Sequence, residues 1–237
     1  MIHVASDNVV EILEMPAYPV AEASRLVGLS STRVHHWLKG YEYPRPAPGG
    51  QRLIGKQPPI VTRETKYPNH ASFLDLMDLL YIKHFLDQHI SLQRLRKALK
   101  EAKTILGVNH FANETFFTHG REVFVKVSRE GDAIIQLLSG GQWVMTSIIR
   151  QLSKKIEFHQ PTGNAIRYYP QGQDGGIVID PRIAFGAPSI IGKGTPTETI
   201  YKTFVAEHRR IESVCAWLNL SSSEVQAAIK YQELLAA

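Results

Sequence analysis

One stretch near the N-terminus, from Tyr18 to Tyr41, limits most strongly what this chain can fold into. Its apolar side chains recur at helical spacing in two short runs, which are Val20, Ala23, Leu26 and Val27, then Val34, Trp37 and Leu38. Between the runs, Gly28 suits the left-handed end of one helix, and Ser30 or Ser31 suits the cap of the next. The stretch therefore predicts a helix-turn-helix, with Leu29 buried in the turn.

The second predicted helix carries polar and basic side chains on or near its outer face. They are Thr32, Arg33, His35, His36 and Lys39. Side chains of these types hydrogen-bond phosphates and base edges, and a second helix presented in this way fits the major groove of duplex DNA. On spacing alone, a plain helical hairpin with a solvated face is the alternative.

Positive charge is concentrated around this motif. The stretch from Arg25 to Lys66 holds eight basic residues and only two acids, a net charge of +6, whereas the whole chain carries +5. The rest of the protein therefore sums to about −1. The basic residues are Arg25, Arg33, Lys39, Arg45, Arg52, Lys56, Arg63 and Lys66. A basic patch centred on a helix-turn-helix favours a phosphate-backbone partner over the plain helical hairpin.

The segment that follows Tyr41 is rich in proline and contains the turn pair Gly49-Gly50. Because proline lacks a backbone donor, this segment cannot be the central strand of a sheet. We predict a short, wing-like hairpin around the two glycines, with phosphate contacts from Arg45, Arg52 and Lys56. A flexible basic linker is the alternative.

Two longer helices are predicted from residue 72 onward. Ser72 suits the cap of the first, with Asp75 at the capping-box position, and Ser91 suits the cap of the second. The outer face of the second helix is interpreted as a solvated surface that could flank DNA, and it carries Arg94, Arg96, Lys97, Lys100 and Lys103.

The order of these elements resembles a MerR-type winged helix-turn-helix domain over about residues 16–104. The resemblance rests on the helix-turn-helix, on a Gly-Gln-Arg-Leu segment from Gly50 to Leu53, and on His89-Ile90-Ser91-Leu92 before the last helix. Two features depart from MerR regulators. The long dimerising helix is missing, and Cys215 is the single cysteine, so metal sensing of the MerR kind is not expected.

The middle of the chain changes character. Strand-like pieces at 115–118 and 122–127 predict one hairpin, and pieces at 156–159 and 165–169 predict a second. Arg167 in the second hairpin is interpreted as a cross-strand pairing residue in preference to a nucleic-acid or protein contact. After Pro196 three helices are predicted, of which the last two form a second helix-turn-helix-like pair with an outer face that is not basic.

The expected fold class is therefore α+β and mainly helical, in three parts. Residues 1–106 form the winged helix-turn-helix domain, residues 107–175 a small mixed α/β middle region, and residues 176–237 a β-hairpin with three helices. We interpret the last part as an interaction or dimerisation element.

The last part also resembles a short bacterial domain of originally unknown function that is found in antitoxins. It carries a D-P…G-x-P stretch like that of the family, made by Asp180, Pro181, Gly186, Pro188 and Gly192. Together with the MerR-like head, nearly the full chain resembles one class of VapB-type antitoxin. This resemblance implies a type II toxin–antitoxin role, in which the protein neutralises a PIN-domain ribonuclease toxin and represses the shared promoter.

Sequence signals for enzyme chemistry are weak. The segment from Gly186 to Gly194 approaches a phosphate-binding loop, but it has five residues between its first two glycines instead of four, and Gly194 where Ser or Thr would bind magnesium. The histidine spacings fit no metal site, and Cys215 lies on an apolar helical face. We therefore expect no catalytic site, no cofactor and no metal.

The N-terminus lacks the pattern of a signal peptide, and no apolar run reaches the ~20 residues of a membrane span. The sequence thus predicts a cytoplasmic antitoxin and repressor that binds double-stranded DNA at its own promoter, as a homodimer on two half-sites. A stand-alone MerR-like transcriptional regulator with a ligand- or protein-sensing C-terminal part is the alternative. A protein-interaction scaffold without DNA binding is a third class.

Overall fold

A computed structural model of the chain describes residues 4–46, 52–61, 63, 67–116, 151–152 and 154–236. The chain divides into two compact units, one of Glu14–Thr146 and one of Met1–Leu13 with Ser147–Ala237. Helix α1 spans Val4–Glu14. The architecture is mixed α and β, with helices as the larger component and small two-stranded sheets, which agrees with the α+β class predicted from the sequence. The three-part division of the chain stays a prediction.

The unit that begins at Glu14 is built around helices packed on one central helix. Its helices are α2 (Val20–Val27), α3 (Ser31–Lys39), α4 (Phe73–Asp87) and α5 (Leu92–Leu106). Two antiparallel pairs accompany them, β1 (Tyr18–Pro19) with β4 (His70–Ala71), and β2 (Tyr41–Pro46) with β3 (Arg52–Gln57). Helix α4 packs against α2, α3 and α5.

Helix α4 forms the core of this unit because nearly all of its sides are apolar. Every residue from Phe73 to Ile82 is buried. The helix begins with the predicted capping box, in which the Asp75 N–H donates to the Ser72 hydroxyl at 3.1 Å and the Ser72 N–H donates to the Asp75 carboxylate at 2.9 Å. The box satisfies two backbone donors at the place where a helix lacks internal partners.

A buried ion pair joins the segment that follows α5 to helix α4. Nδ1 of His110 lies 2.8 Å from the Asp78 carboxylate, which also accepts the Phe111 N–H at 2.8 Å. Burial alone would lower the pKa of His110, but the charge and hydrogen bond of Asp78 outweigh it and raise that pKa.

Residues 114–116 form a helical turn. The prediction of a strand at 115–118 is therefore wrong for Thr115 and Phe116, the two of its residues that the structure describes. The Thr115 N–H donates to the Asn113 side chain at 2.9 Å, a local bond that competes with strand pairing. Phe116 instead packs edge-on against Phe111, with ring centroids 5.0 Å apart. The rest of that predicted hairpin lies outside the described residues.

The other unit contains two small hairpins and three helices. Strand β5 (Ile156–Phe158) pairs with β6 (Ala165–Tyr168), as the sequence predicted, and β7 (Ile177–Val178) pairs with β8 (Ser189–Ile190). Helices α6 (Thr197–Ala206), α7 (Ile211–Leu218) and α8 (Ser222–Ala236) follow in the predicted region. The three helices and the β7–β8 hairpin share one buried core, which consists of Ile177, Ile190, Ile200, Val214, Leu220, Val225, Ala228 and Tyr231.

An ion-pair network holds the Asp-Pro loop to the first of these hairpins. The buried Asp180 carboxylate accepts from Nε of Arg167 and from Nη2 of Arg182, both at 2.7 Å. Arg167 also donates to both oxygens of Glu157 on the paired strand at 3.0 Å. The cross-strand interpretation of Arg167 is therefore confirmed. Although burial raises the pKa of Asp180, hydrogen bonds from the two arginines outweigh it and lower that pKa below its ordinary value.

Candidate nucleic-acid interface

Helices α2 and α3 meet through the two apolar runs seen in the sequence. Ala23, Leu26 and Val27 of the first run and all three residues of the second run are buried, whereas Val20 is half-buried. The turn between them depends on Gly28, which has a φ of 64°, a conformation that a side chain disfavours. Ser30, rather than Ser31, caps α3, and its hydroxyl accepts the Arg33 N–H at 3.4 Å. Leu29 is half-buried and not fully buried as predicted.

Helix α3 presents the predicted side chains to different degrees. Thr32, Arg33 and Lys39 are exposed, whereas His35 and His36 are half-buried. The ring of His36 stacks on Tyr41 at the start of β2, with centroids 4.3 Å apart and planes 25° apart. His36 therefore packs against the hairpin, and its ring edge is what remains available to a ligand.

The hairpin of β2 and β3 begins directly after α3. Gly40 makes the connection with a φ of 78°, and a Cβ at this position would collide with the Gln57 carbonyl oxygen. The segment that follows β3 returns to α3, since the N–H groups of Ile60 and Val61 donate to the Trp37 carbonyl at 2.9 and 3.2 Å. The chain is thus attached to α3 both before β2 begins and after β3 ends.

Helix α5 supplies a further anchor through Arg96. Its guanidinium donates to the carbonyl oxygens of Pro58 and Pro59, the latter at 2.9 Å. Arg96 was predicted to lie on a solvated outer face, and for this residue the prediction is wrong. The position follows from how α5 packs beside the hairpin, for which the local sequence carries no signal.

The three hairpin cations predicted as phosphate contacts are all exposed, but they do not share one face. The register places Arg45 opposite Leu53, Arg52 opposite Pro46, and Lys56 opposite Glu42. Lys56 forms an exposed ion pair with Glu42, with Nζ and Oε1 3.1 Å apart. Such a surface pair is weak, because water and salt screen it, so Lys56 exchanges readily to a phosphate. The predicted turn at Gly49-Gly50 lies outside the described residues.

Two clefts flank the stacked rings of His36 and Tyr41, and both rings line each cleft. The first has a volume of about 510 Å³ and is also lined by His35, Lys39, Glu42 and Lys56. The second, of about 450 Å³, is also lined by Thr32, Arg33, Gln57, Gln93 and Arg96. The first cleft thus brings Lys56 beside predicted residues of α3, and the second brings Thr32 and Arg33 beside polar groups of α5 that were not predicted as site residues.

Arg63 does not belong to the basic surface, although it lies within the charge-rich stretch of the sequence. Its side chain is 9% exposed, and its Nη1 lies 2.7 Å from the Asp75 carboxylate. The same guanidinium donates to the carbonyl oxygens of His70 and Pro68, the latter at 3.0 Å. Arg63 thus joins Pro68 and His70 to the start of α4, and one of the eight counted charges is neutralised inside the fold.

No cluster of three metal-ligating side chains occurs among the described residues. None of the described helices is long and apolar enough to cross a membrane.

Comparison with known proteins adds a domain match and two kinds of relative. Residues 177–232 match the family described as "Protein of unknown function (DUF433)". The chain is 28% identical to "Putative antitoxin VapB45" of Mycobacterium tuberculosis strain H37Rv over 203 residues, which covers 80% of this chain and 83% of that protein. It is 32% identical over 108 residues to "Uncharacterized HTH-type transcriptional regulator Rv1830" of the same organism, covering 46% of this chain and 44% of the regulator.

A solved structure shares the fold. The crystal structure of Rv2018 from Mycobacterium tuberculosis superposes with a TM-score of 0.64 and 18% sequence identity, and covers 92% of this chain and 99% of that one. At this identity the likeness concerns the fold alone. The relatives' names thus associate this chain with antitoxins and with transcriptional regulators of the helix-turn-helix type.

Proposed function

We propose that this protein is a DNA-binding antitoxin that represses its own operon and neutralises a PIN-domain ribonuclease toxin. The observation that carries the DNA-binding part is the joint surface of α3 and the β2–β3 hairpin. Five exposed cations lie on these two connected elements, and they are Arg33, Lys39, Arg45, Arg52 and Lys56. A cationic surface built on an exposed second helix has the charge and the shape that duplex DNA requires.

In this proposal the α2–α3 pair and the hairpin act as a winged helix-turn-helix of MerR-like type. Helix α3 enters the major groove, and Thr32 and Arg33 near its N-terminus contact base edges, where residues of a recognition helix usually do so. His35 and Lys39 contact phosphates or base edges further along, and His36 holds the hairpin through Tyr41. The remaining contacts, to the sugar–phosphate backbone, come from the hairpin cations Arg45, Arg52 and Lys56.

The antitoxin part of the proposal is supported by similarity to a protein named as an antitoxin, which extends over 80% of this chain. We infer a PIN-domain toxin from the resemblance of the whole chain to VapB-type antitoxins. A homodimer in the cytoplasm follows from the same role, since two copies on two half-sites gain affinity over one.

A second candidate is a stand-alone transcriptional regulator. It is favoured by the similarity to an HTH-type transcriptional regulator over 46% of this chain. In that case the unit of Met1–Leu13 and Ser147–Ala237, called the C-terminal unit below, would receive a small ligand or a different protein signal.

One experiment separates the two candidates. The protein is titrated onto DNA from directly upstream of its own gene, with and without the purified product of the neighbouring gene. An antitoxin forms a complex with that product, inhibits its ribonuclease activity, and binds the DNA more tightly or with a changed footprint in its presence. Unchanged DNA binding and uninhibited ribonuclease activity would favour the stand-alone regulator. The matched variant Arg33→Ala should lose DNA binding while it still inhibits the ribonuclease.

A further inference from the structure

Helix α7 of the C-terminal unit is more apolar than its burial requires. Six of the eight residues in its sequence IESVCAWL are apolar, yet only Val214 is fully buried. Ile211, Cys215 and Leu218 are half-buried against the core, and Trp217 has 73% of its surface exposed. Tryptophan is enriched at the centres of protein interfaces, so this exposed ring indicates a surface that another protein covers.

The turn before α7 fixes the direction in which the helix leaves α6. His208 and Arg209 are both left-handed, with φ of 53° and 62°, a conformation that side chains disfavour. The Arg209 N–H donates to the Phe204 carbonyl at 2.8 Å and closes the turn. Arg210 follows as the residue directly before α7, and it is exposed.

One side of α7 carries a short pattern of three different side chains. Arg210, Ser213 and Trp217 follow one another at i, i+3 and i+7, a spacing that aligns residues along one side of a helix. Arg210 and Trp217 are exposed, and the small Ser213 between them is half-buried. The side thus presents a cation, a small residue and an aromatic ring in that order, and we call it the Arg–Ser–Trp side.

This pattern is complementary to itself. In a pair of antiparallel helices related by a two-fold axis, residue i contacts residue j of the other copy, and j contacts i. An axis beside Ser213 therefore places Arg210 of each copy against Trp217 of the other. A guanidinium over an indole face is a favourable cation–π pair, and the small Ser213 lets the helices approach to about 8–10 Å.

Helix α5 does not continue into a long helix that could pair two copies. It ends at Leu106, the left-handed Gly107 turns the chain with a φ of 67°, and His110 attaches the following segment to Asp78 of α4. The contact between copies that two half-sites require must then come from a surface other than an extended α5. The self-complementary side of α7 favours a second copy of this chain over an unrelated partner.

We propose that two copies of this protein pair through the Arg–Ser–Trp sides of their α7 helices, antiparallel and around a two-fold axis beside Ser213. Covering an aromatic side chain buries about 150–250 Å², so two tryptophans and their neighbours remain well below the roughly 1,600 Å² of a standard interface. The free dimer is therefore weak, with a dissociation constant of about 10–100 µM.

DNA makes this weak contact sufficient. Two copies held on adjacent half-sites have an effective concentration that reaches the millimolar range, well above the dissociation constant of the free dimer. The contact then makes operator binding cooperative. Only this step rests on the proposed DNA-binding function, since pairing of the free protein is measured without DNA.

Sedimentation velocity of the full chain between about 1 and 200 µM tests the pairing. The wild type should shift from monomer to dimer over this range, and Trp217→Ser should raise the dissociation constant at least tenfold, as truncation of a central interface tryptophan does. The matched control is Phe185→Ser, because Phe185 is 89% exposed but lies in the loop after Asp180, and it should sediment like the wild type. Ser213→Lys, which places bulk and charge at the axis, should also remain monomeric.

Cross-linking tests the register of the pair. Cys215 is the single cysteine of the chain, so a Cys215→Ala background is free of thiols. In this background, Ser213→Cys should give a covalent dimer with a short bismaleimide, and adding Trp217→Ser should remove it. Glu212→Cys is the control, since Glu212 is exposed but about 100° further around the helix, and it should give little dimer. Circular dichroism melting checks that each variant folds.

Cooperativity on DNA tests the consequence of the pairing. On a duplex from directly upstream of the protein's own gene, the wild type should bind cooperatively. Trp217→Ser should bind the same duplex without cooperativity and should keep the affinity of the wild type for a single half-site. A wild type that pairs in solution but ignores DNA would refute the proposed function and leave the pairing intact.

Three results would overturn the pairing itself. Wild-type sedimentation by folded Trp217→Ser and Ser213→Lys would remove α7 from the contact between copies. Equal cross-linking of Ser213→Cys and Glu212→Cys would refute the antiparallel register. If the wild type stayed monomeric and Trp217→Ser instead lost its complex with the neighbouring gene's product, α7 would bind that protein and not a second copy.

Discussion

Replacement of Arg63 by Ala should destabilise the unit of Glu14–Thr146 and leave the DNA-contacting surface unchanged. Arg63 and Asp75 have side chains 9% and 3% exposed, so truncation leaves a buried carboxylate without its cation. Breaking a buried pair in this way costs about 3–5 kcal/mol. Asp75 keeps the Ser72 N–H as a donor, which places the expected loss near the lower limit, about 3 kcal/mol.

Hydrogen exchange of the α4 amides is the suitable assay, because the chain has two units and a single global unfolding energy is poorly defined. A loss of about 3 kcal/mol should speed the exchange of the most protected α4 amides by roughly a hundredfold. The exposed Arg52→Ala serves as control and should change protection by less than about 0.5 kcal/mol. If Arg63→Ala left α4 as protected as in the wild type, the structural role given to this arginine would be refuted.

Three further predictions concern the interface and the other unit. Arg52→Ala should weaken DNA binding on every sequence and reduce the slope of log affinity against log salt by about one, measured by anisotropy in a salt series; an unchanged slope would remove Arg52 from the phosphate contacts. Gly40→Ala should displace the hairpin and lower DNA affinity at least tenfold while the melting of the C-terminal unit stays constant, because a Cβ meets the carbonyl at the end of β3. Because the pKa of Asp180 is lowered in the fold, its pairs with Arg167 and Arg182 stabilise the fold above pH ~4 and lose that effect as pH falls. Asp180→Asn should therefore make the stability of the C-terminal unit less dependent on pH in acid unfolding. A curve identical to that of the wild type would contradict the role of the pairs.

Local sequence rules predicted the short-range features of this fold well. Helices α2 and α3, the left-handed Gly28 and the capping box of α4 all depend on residues within a few positions of one another. The same holds for the hairpin of β5 and β6, whose strands are separated by a short turn. For such features, the chemistry of neighbouring residues determines the geometry almost completely.

Charge was harder to interpret, because a sum over sequence does not distinguish exposed from buried groups. Arg63 counted toward the basic stretch, yet its partner Asp75 lies 12 positions away and removes it from the surface. Arg96 likewise looked solvated, but it anchors the hairpin from 37 and 38 positions away. Contacts at this separation arise from packing of whole elements, which one sequence does not encode locally.

The predicted strand at 115–118 failed for a related reason. Thr115 and Phe116 have high strand propensity, but propensity yields to tertiary contacts. Here the Asn113 side chain turns the backbone and Phe116 packs with Phe111. The sequence also did not predict which hairpin residues share a face, because this depends on the pairing register. The register decides which of the predicted cations can act together.

The measurement that tests the central claim most directly is an anisotropy titration of the full chain on DNA from directly upstream of its own gene, against scrambled DNA of equal composition. We expect a clear preference for the upstream DNA and an affinity that falls steeply with salt, and we expect Arg33→Ala to lose the preference. Equal binding to both duplexes, or binding that does not respond to salt, would contradict the account of α3 and the hairpin as a promoter-reading surface.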